Sequence, residues 1–225
     1  MIGILMAALV AAPLHICMGC NFAGAQRTDT DFGGVVYVGT NFAGAVLTRA
    51  SFRRASLIAA NFQGADLRDA AFDGAECTAC NFQDAKLDGA TFAGARMTAA
   101  NFGASGAAVD DEQLRELLAG CVACNFRGAN LAGRNLAGAA LAGSDLSASD
   151  LRGANFKGAA LCTYVLNGTN FAAKCATLKG ARVDGANFTG VRICADPSDA
   201  ATCSAVTADE LRNWSGSALS GATLP

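Results

Sequence analysis

The sequence predicts an all-β protein: a square β-helix whose chain turns a corner every five residues, interrupted by two short helices. Three observations carry this. A large residue recurs at every fifth position, from Phe22, Arg27, Phe32, Tyr37 and Phe42 without a slip to Phe102, with Arg27 the misfit in an otherwise apolar series. A small residue sits two positions earlier, as in Ala45, Ala50, Ala55, Ala60, Ala65, Ala70 and Ala75. Within residues 22–102 every second member of the series is Phe, a period of ten.

A period of five fits neither the 3.6 of a helix nor the 2 of a flat strand. It suits a chain bent after each side, four sides closing one coil. The central residue and the small one two before it then both point inward, and the second must be small because four walls converge on a narrow axis. Coils stack through backbone hydrogen bonds about 4.8 Å apart. Four sides per coil place Phe22, Phe42, Phe62, Phe82 and Phe102 in one vertical ladder and Phe32, Phe52, Phe72 and Phe92 in the facing one. Such ladders bury apolar area at about 25 cal/mol per Å². Arg27 falls in the first full coil, where an end is open to water. The register resumes at Phe126 and runs through Leu131, Leu136, Leu141, Leu146, Leu151, Phe156, Leu161, Leu166 and Phe171. After two extra residues it returns at Leu178, Val183, Phe188 and Ile193, and fits again through Leu219 and Leu224.

Units such as Ala60–Gly64 (ANFQG), Ala65–Asp69 (ADLRD), Ala129–Gly133 (ANLAG) and Ala186–Gly190 (ANFTG) resemble those of the pentapeptide-repeat family. The resemblance covers most of residues 20–194 and implies a right-handed quadrilateral β-helix.

Two segments leave the pattern. Residues 103–120 carry a helix start: Val109, then Asp110 as N-cap, Gln113 three later, and Leu114 to meet Val109. Residues 196–217 repeat the design with Val206, Thr207, Glu210 and Leu211. An open β-helix end needs covering against edge-to-edge association, so Thr207, Leu211 and Trp214 are expected to form a C-terminal cap, with Trp214 a plug on the last coil. The expected layout is residues 1–14 as a leader or apolar cap, 15–102 as β-helix, 103–120 as helical insertion, 121–194 as β-helix continued, and 195–225 as loop, capping helix and final repeats.

Residues 2–12, IGILMAALVAA, have the length of a secretory leader and are too short to span a bilayer. No Lys or Arg precedes Arg27, so the alternative is an apolar cap strand on the first coil. Ten cysteines, an even number, favour an oxidising compartment. The expected location is therefore that of an exported bacterial protein, periplasmic or secreted, with the cytoplasm as alternative.

Three CxxC pairs precede Asn-Phe: Cys17/Cys20, Cys77/Cys80 and Cys121/Cys124. In the repeat register, the first cysteine of each is a central inward residue and the second is the small inward residue of the next side. Each pair flanks one corner. Pairs two or three coils apart are separated by roughly 10–14 Å, whereas zinc needs all its ligands within about 2.3 Å. The chain's one histidine is His15, so no metal site is expected. A redox CxxC sits at a helix N-terminus, which these do not. Two readings remain: small hydrophobes in the core, or disulfides across a corner, whose ends in a turn lie within about 7 Å. Cys194 and Cys203 form the simplest further pair, with Cys175–Cys194 a rival and Cys162 on an outward position.

No carboxylate pair, nucleophile–base arrangement or phosphate-binding glycine loop is discernible, so neither enzyme activity nor a cofactor is expected. The first functional expectation is an exported scaffold or protein-binding module, either a monomer or an end-to-end dimer through the C-terminal cap. The alternative is a DNA mimic of the quinolone-resistance kind within the same family, protecting a type II topoisomerase. Duplex DNA carries a charge every 1.7 Å or so, so a mimic wants two to three carboxylates per coil of about 4.8 Å. Over residues 21–102, acids (Asp29, Asp31, Asp66, Asp69, Asp73, Glu76, Asp84, Asp88) and bases (Arg27, Arg49, Arg53, Arg54, Arg68, Lys86, Arg96) nearly balance. With a net charge of −2, no basic surface for nucleic acid is expected either.

Overall fold

In the computed structural model, the described residues are 15–103, 109–167, 170–195, 200–215 and 219–225. The candidate leader at 1–14 lies outside them. The chain forms a β-helix with four walls. On the fourth wall five three-residue strands stack in parallel: β1 (Ile16–Met18), β2 (Val36–Val38), β3 (Ser56–Ile58), β4 (Glu76–Thr78) and β5 (Arg96–Thr98). Their partners are offset by one coil, as in Cys17↔Tyr37 and Leu57↔Cys77. The other walls are joined by single parallel bridges with the same offset: Asn21↔Asn41 on the first, Gln26↔Val46 on the second and Asp31↔Ser51 on the third.

The hydrogen bonds explain the five-residue side. The Phe42 N–H donates up the stack to the Asn61 carbonyl at 2.7 Å, Asn41 N–H donates down to Cys20 at 2.9 Å, and Ala45 N–H closes the corner onto Phe42 at 3.1 Å. The residue before that closing position has a left-handed backbone, which glycine adopts without strain. Asp29, Arg49, Arg54 and Asp69 adopt it too, with φ of 55–58°, and the stack holds them there.

Inside, Phe42, Phe62, Phe82, Phe52, Phe72 and Phe92 are fully buried, as are Ala45, Ala50, Ala65 and Ala70. Rings within each ladder lie nearly parallel, with centroids 4.8 Å apart for Phe42–Phe62 and 4.9 Å for Phe32–Phe52. Rings of facing ladders meet edge to face, at 5.3 Å for Phe52–Phe62, a favoured aromatic geometry. Outside the first wall a second ladder runs beside the rings. Asn81 Nδ2 donates to Asn61 Oδ1 at 3.2 Å and Asn101 to Asn81 at 3.0 Å, while each Oδ1 also accepts a backbone N–H two residues on, as from Gln63 to Asn61 at 3.1 Å. This gives the Asn of each Asn-Phe unit its place. Arg27 is exposed in the first coil.

The first helix, α1 (Asp111–Ala119), takes the place of the second and third walls of one coil. Asp110 caps it with the expected capping box: Gln113 N–H donates to Asp110 and Asp110 N–H to Gln113. Val109, Leu114, Leu117 and Leu118 fill the core where ladder residues would stand. The chain re-enters through Gly120, where a Cβ would meet the Ala95 carbonyl. Asn101 then bridges Asn125, a spacing of one coil plus four residues.

The expected register through Leu166 and Phe171 does not hold. These residues pair with each other in an antiparallel hairpin of β6 (Ala160–Asn167) and β7 (Asn170–Cys175) that leaves the coil after Leu161. The coil resumes at Thr177, bridged to Asp145. The reason is local. Tyr164 would have to fill a small inward slot, Thr163 and Val165 favour extended chain, and Asn167-Gly168 is a hairpin turn signal. Cys162, expected outward, is buried, because the hairpin places Cys175 against it.

After β8 (Arg192–Cys194), which extends the fourth wall beside β6, β9 (Cys203–Ala205) turns back antiparallel. The second helix, α2 (Ala208–Ser215), is capped by Thr207: Thr207 N–H donates to Glu210 at 2.9 Å and Glu210 N–H to Thr207 Oγ1 at 3.3 Å. Val206 and Leu211 join the core. Trp214 is in α2, but its side chain lies outside the description. The chain then returns to the stack, with Gly185 N–H on Gly221 O and Thr223 bridged to Asn187.

Replacing Ala65 with Leu is expected to overpack the axis and cost about 1–3 kcal/mol, whereas the same residue at exposed Gln63 should stay within about 0.5 kcal/mol. Thermal or urea unfolding of the two variants checks this, and equal midpoints would contradict the inward assignment. Asp110→Ala should cost about 1 kcal/mol by removing the cap of α1, measured the same way.

Candidate functional site

The cysteine corners come first. Cys17/Cys20, Cys77/Cys80 and Cys121/Cys124 are each joined across the corner between the fourth and first walls, with Cα atoms 5.7, 5.8 and 5.7 Å apart. Tyr37 and Leu57 separate Cys17 from Cys77 along the wall. Met97 follows Cys77, and its N–H donates to Gly120 O, beside Cys121. The three pairs thus share a corner but not a level. Among the described residues no three His, Cys, Asp or Glu side chains gather as a metal would need.

The remaining cysteines close the two excursions. Cys194 is joined to Cys203 across β8 and β9, and Cys162 to Cys175 at the base of the hairpin. The rival Cys175–Cys194 pairing is absent. The Cys162–Cys175 pair was missed because a continuous register was carried through the hairpin; the Asn-Gly turn midway between the two cysteines was the available signal.

Also unforeseen is how α1 is fastened. In a complete coil a wall residue such as Phe72 donates its N–H to the next coil, here to Thr91 O at 2.8 Å. Phe92 has a helix above it instead, and its N–H goes to Glu116 Oε2 at 3.3 Å. From the other side Ala140 N–H reaches Leu118 O at 3.1 Å. Arg134 holds both the Val109 carbonyl and the Asp111 carboxylate.

On the walls, carboxylates meet arginines. Asp29 pairs with Arg49 at 2.7 Å, Asp73 with Arg53 at 3.0 Å and Asp66 with Arg68 at 2.6 Å. Asp150 takes Arg152 at 2.7 Å and Arg182 at 3.5 Å. Hydrogen bonding from Arg49 holds Asp29 below its ordinary value, and Arg68 does the same for Asp66. Asp150 is lowered to about 2, first by the hydrogen bond from Arg152. The third wall has an open groove where Gly33 and Gly34 lack side chains, lined by Asp31, Arg53, Arg54 and Asp73. Two acids and two bases give it no charge preference. On the fourth wall Ile16 and Met18 stand 57% and 76% exposed and Ile58 41%. No described helix is long and apolar enough to cross a membrane.

The model for pentapeptide repeats matches residues 38–74, 75–104 and 124–161, in eight copies. The chain is a pentapeptide-repeat protein. The matched stretches of this pentapeptide-repeat chain break across α1 and stop where the hairpin leaves the coil. Among solved structures it is similar to HetL, a pentapeptide repeat protein involved in heterocyst differentiation regulation from the cyanobacterium Nostoc sp. strain PCC 7120. Identity there is 19% over 92% of this chain and 84% of that one, with a TM-score of 0.39. It is also similar to a pentapeptide repeat protein of the Arabidopsis thaliana thylakoid lumen, at 23% identity over 68% of this chain and 65% of that one, TM-score 0.26. A third is QnrB1, a plasmid-mediated fluoroquinolone resistance protein, at 20% identity over 75% and 82%, TM-score 0.33. No curated protein sequence matches the chain.

Because Asp150 is depressed to about 2 from 3.8, its contribution to stability is complete above the ordinary value and is lost as pH falls towards the depressed one. Arg152→Ala should raise the Asp150 titration midpoint towards 3.8, as followed by carboxyl NMR shifts. An unmoved midpoint would show that Arg152 does not hold this carboxylate.

Proposed function

We propose that this protein is a non-enzymatic scaffold, exported to the periplasm or beyond, that works by binding another protein along its walls. The observation that supports this most is the pairing of surface charge. A duplex mimic must present unneutralised carboxylates at close intervals along its axis. Here Asp29, Asp66, Asp73 and Asp150 each face an arginine. Mixed charge on a rigid flat wall suits recognition of a protein, where complementary patches fix register and partner choice. Export is supported by the apolar run at 2–12 and by the even cysteine count. Short excursions closed by Cys162–Cys175 and Cys194–Cys203 resemble the stapled elements of secreted proteins.

Added to a type II topoisomerase supercoiling reaction, the oxidised protein is expected neither to inhibit the enzyme nor to protect it from a quinolone. Inhibition would replace the scaffold reading with DNA mimicry. Cross-linking in the periplasmic fraction should recover a protein partner whose yield falls when the charge of exposed Arg54 is reversed (Arg54→Glu). Recovery of the chain solely from the cytosol would remove export from the proposal.

A further inference from the structure

The three corner cysteine pairs have nearly the same Cα separation, 5.7, 5.8 and 5.7 Å, and different surroundings. Cys77 lies between Leu57 and Met97 on its wall, and Cys77 and Cys80 are 0% and 1% exposed. Cys121 and Cys124 are both 0% exposed. Cys17 has Tyr37 on one side and belongs to the first described coil, and both Cys17 and Cys20 are partly exposed. Their flanks are open: Met18 is 76% exposed and, among the described residues, nothing approaches within 4 Å of where a Gly19 side chain would stand. Residues 15–28 carry His15 and Arg27 and no carboxylate, and β2 above contributes only Val36, Tyr37 and Val38. An approaching thiolate meets no like charge from these elements. Cys77 has Glu76 beside it.

We propose that Cys17–Cys20 is a thiol-exchange site, the corner disulfide that a dithiol reductant reaches without opening the coil. The inference rests on the cysteines being oxidised in the native compartment. A thiolate of the reductant attacks one sulfur of the pair and forms a mixed disulfide. The other cysteine sulfur leaves as thiolate and takes a proton from water. The second thiol of the reductant, as thiolate, then displaces the remaining cysteine, giving oxidised reductant and two cysteine thiols. Reduction removes the covalent tie from a coil whose bonds among the described residues run to the coil above: Val36 N–H on His15 O at 2.9 Å, Gly19 N–H on Val38 O at 2.8 Å and Asn41 N–H on Cys20 O at 2.9 Å. The first described coil would thereby become redox-dependent.

Cys77–Cys80 is the internal control, being the same corner three coils on. Folded protein isolated from its native compartment would be exposed to dithiothreitol for graded times, quenched with an alkylating agent and mapped by peptide mass spectrometry. Cys17 and Cys20 should be labelled roughly tenfold or more faster than Cys77, Cys80, Cys121 and Cys124, which need local opening of the stack. In denaturant the three pairs should react alike. Equal rates in the folded protein, or slower labelling of Cys17 and Cys20, would overturn the site. Labelling of all six before any reductant is added would instead overturn the oxidation on which it depends. Amide exchange of Met18, Gly19 and Asn41 should rise after selective reduction, while that of Asn61 and Phe62 stays constant.

Discussion

The narrowness of the axis governs this molecule. Four walls converge on a space that admits one large and one small side chain per side, so each side must repeat the same pair. Ala45, Ala50, Ala65 and Ala70 are buried to the last atom, and the aromatic rings between them stack at a spacing near 4.8 Å because the backbone ladder does. Once inward positions are fixed, the corner residue has to turn left-handed and the residue before each ring has to face outwards along the wall. The asparagine ladder, the corner glycines and the cysteine corners all derive from that geometry.

The excursions obey the same constraint. The hairpin leaves the coil where Tyr164 would have to stand in the small inward slot of the next side, and every excursion must return in phase. Between Phe102 and Cys121 the chain satisfies this with α1, whose Val109, Leu114, Leu117 and Leu118 replace ladder side chains. The hairpin after Leu161 leaves at a corner and returns to the same corner, tied at its base by Cys162–Cys175. The C-terminal excursion contributes Val206 and Leu211 to the core before Leu219 rejoins the stack. Each departure conserves core volume or closes on itself.

Much of this was legible because the repeat is strict. Phe22 to Phe102 fixes the walls, and Asp110 with Gln113 and Thr207 with Glu210 announce the helix starts through a local pairing that needs no tertiary information. The hairpin was hidden because Leu161, Leu166 and Phe171 keep the spacing of five by coincidence, while the contrary signal at Tyr164 and Asn167-Gly168 is weak in single residues. The fastening of α1 by Glu116 and Arg134 was not legible at all. Which surface polar group meets a backbone amide depends on where the helix lies over the coil, and periodicity holds no record of that. Cysteine positions followed from register for the three corners and failed for Cys162, whose burial depends on the hairpin.

The replacement of two walls by α1 leaves a seam across the solenoid. Below it and above it, adjacent coils are joined around all four sides by main-chain bonds. At the seam the first wall continues through Asn101 and Asn125, and the fourth through Met97 and Gly120. On the third the link passes through the Glu116 carboxylate and the end of a helix. In a linear stack, cooperativity is transmitted only between nearest neighbours, so the links across this level decide how the two stretches are coupled. Among the described residues, the third wall couples the two stretches through a side chain rather than through the main chain. At that wall a carboxylate stands where other levels use a peptide carbonyl.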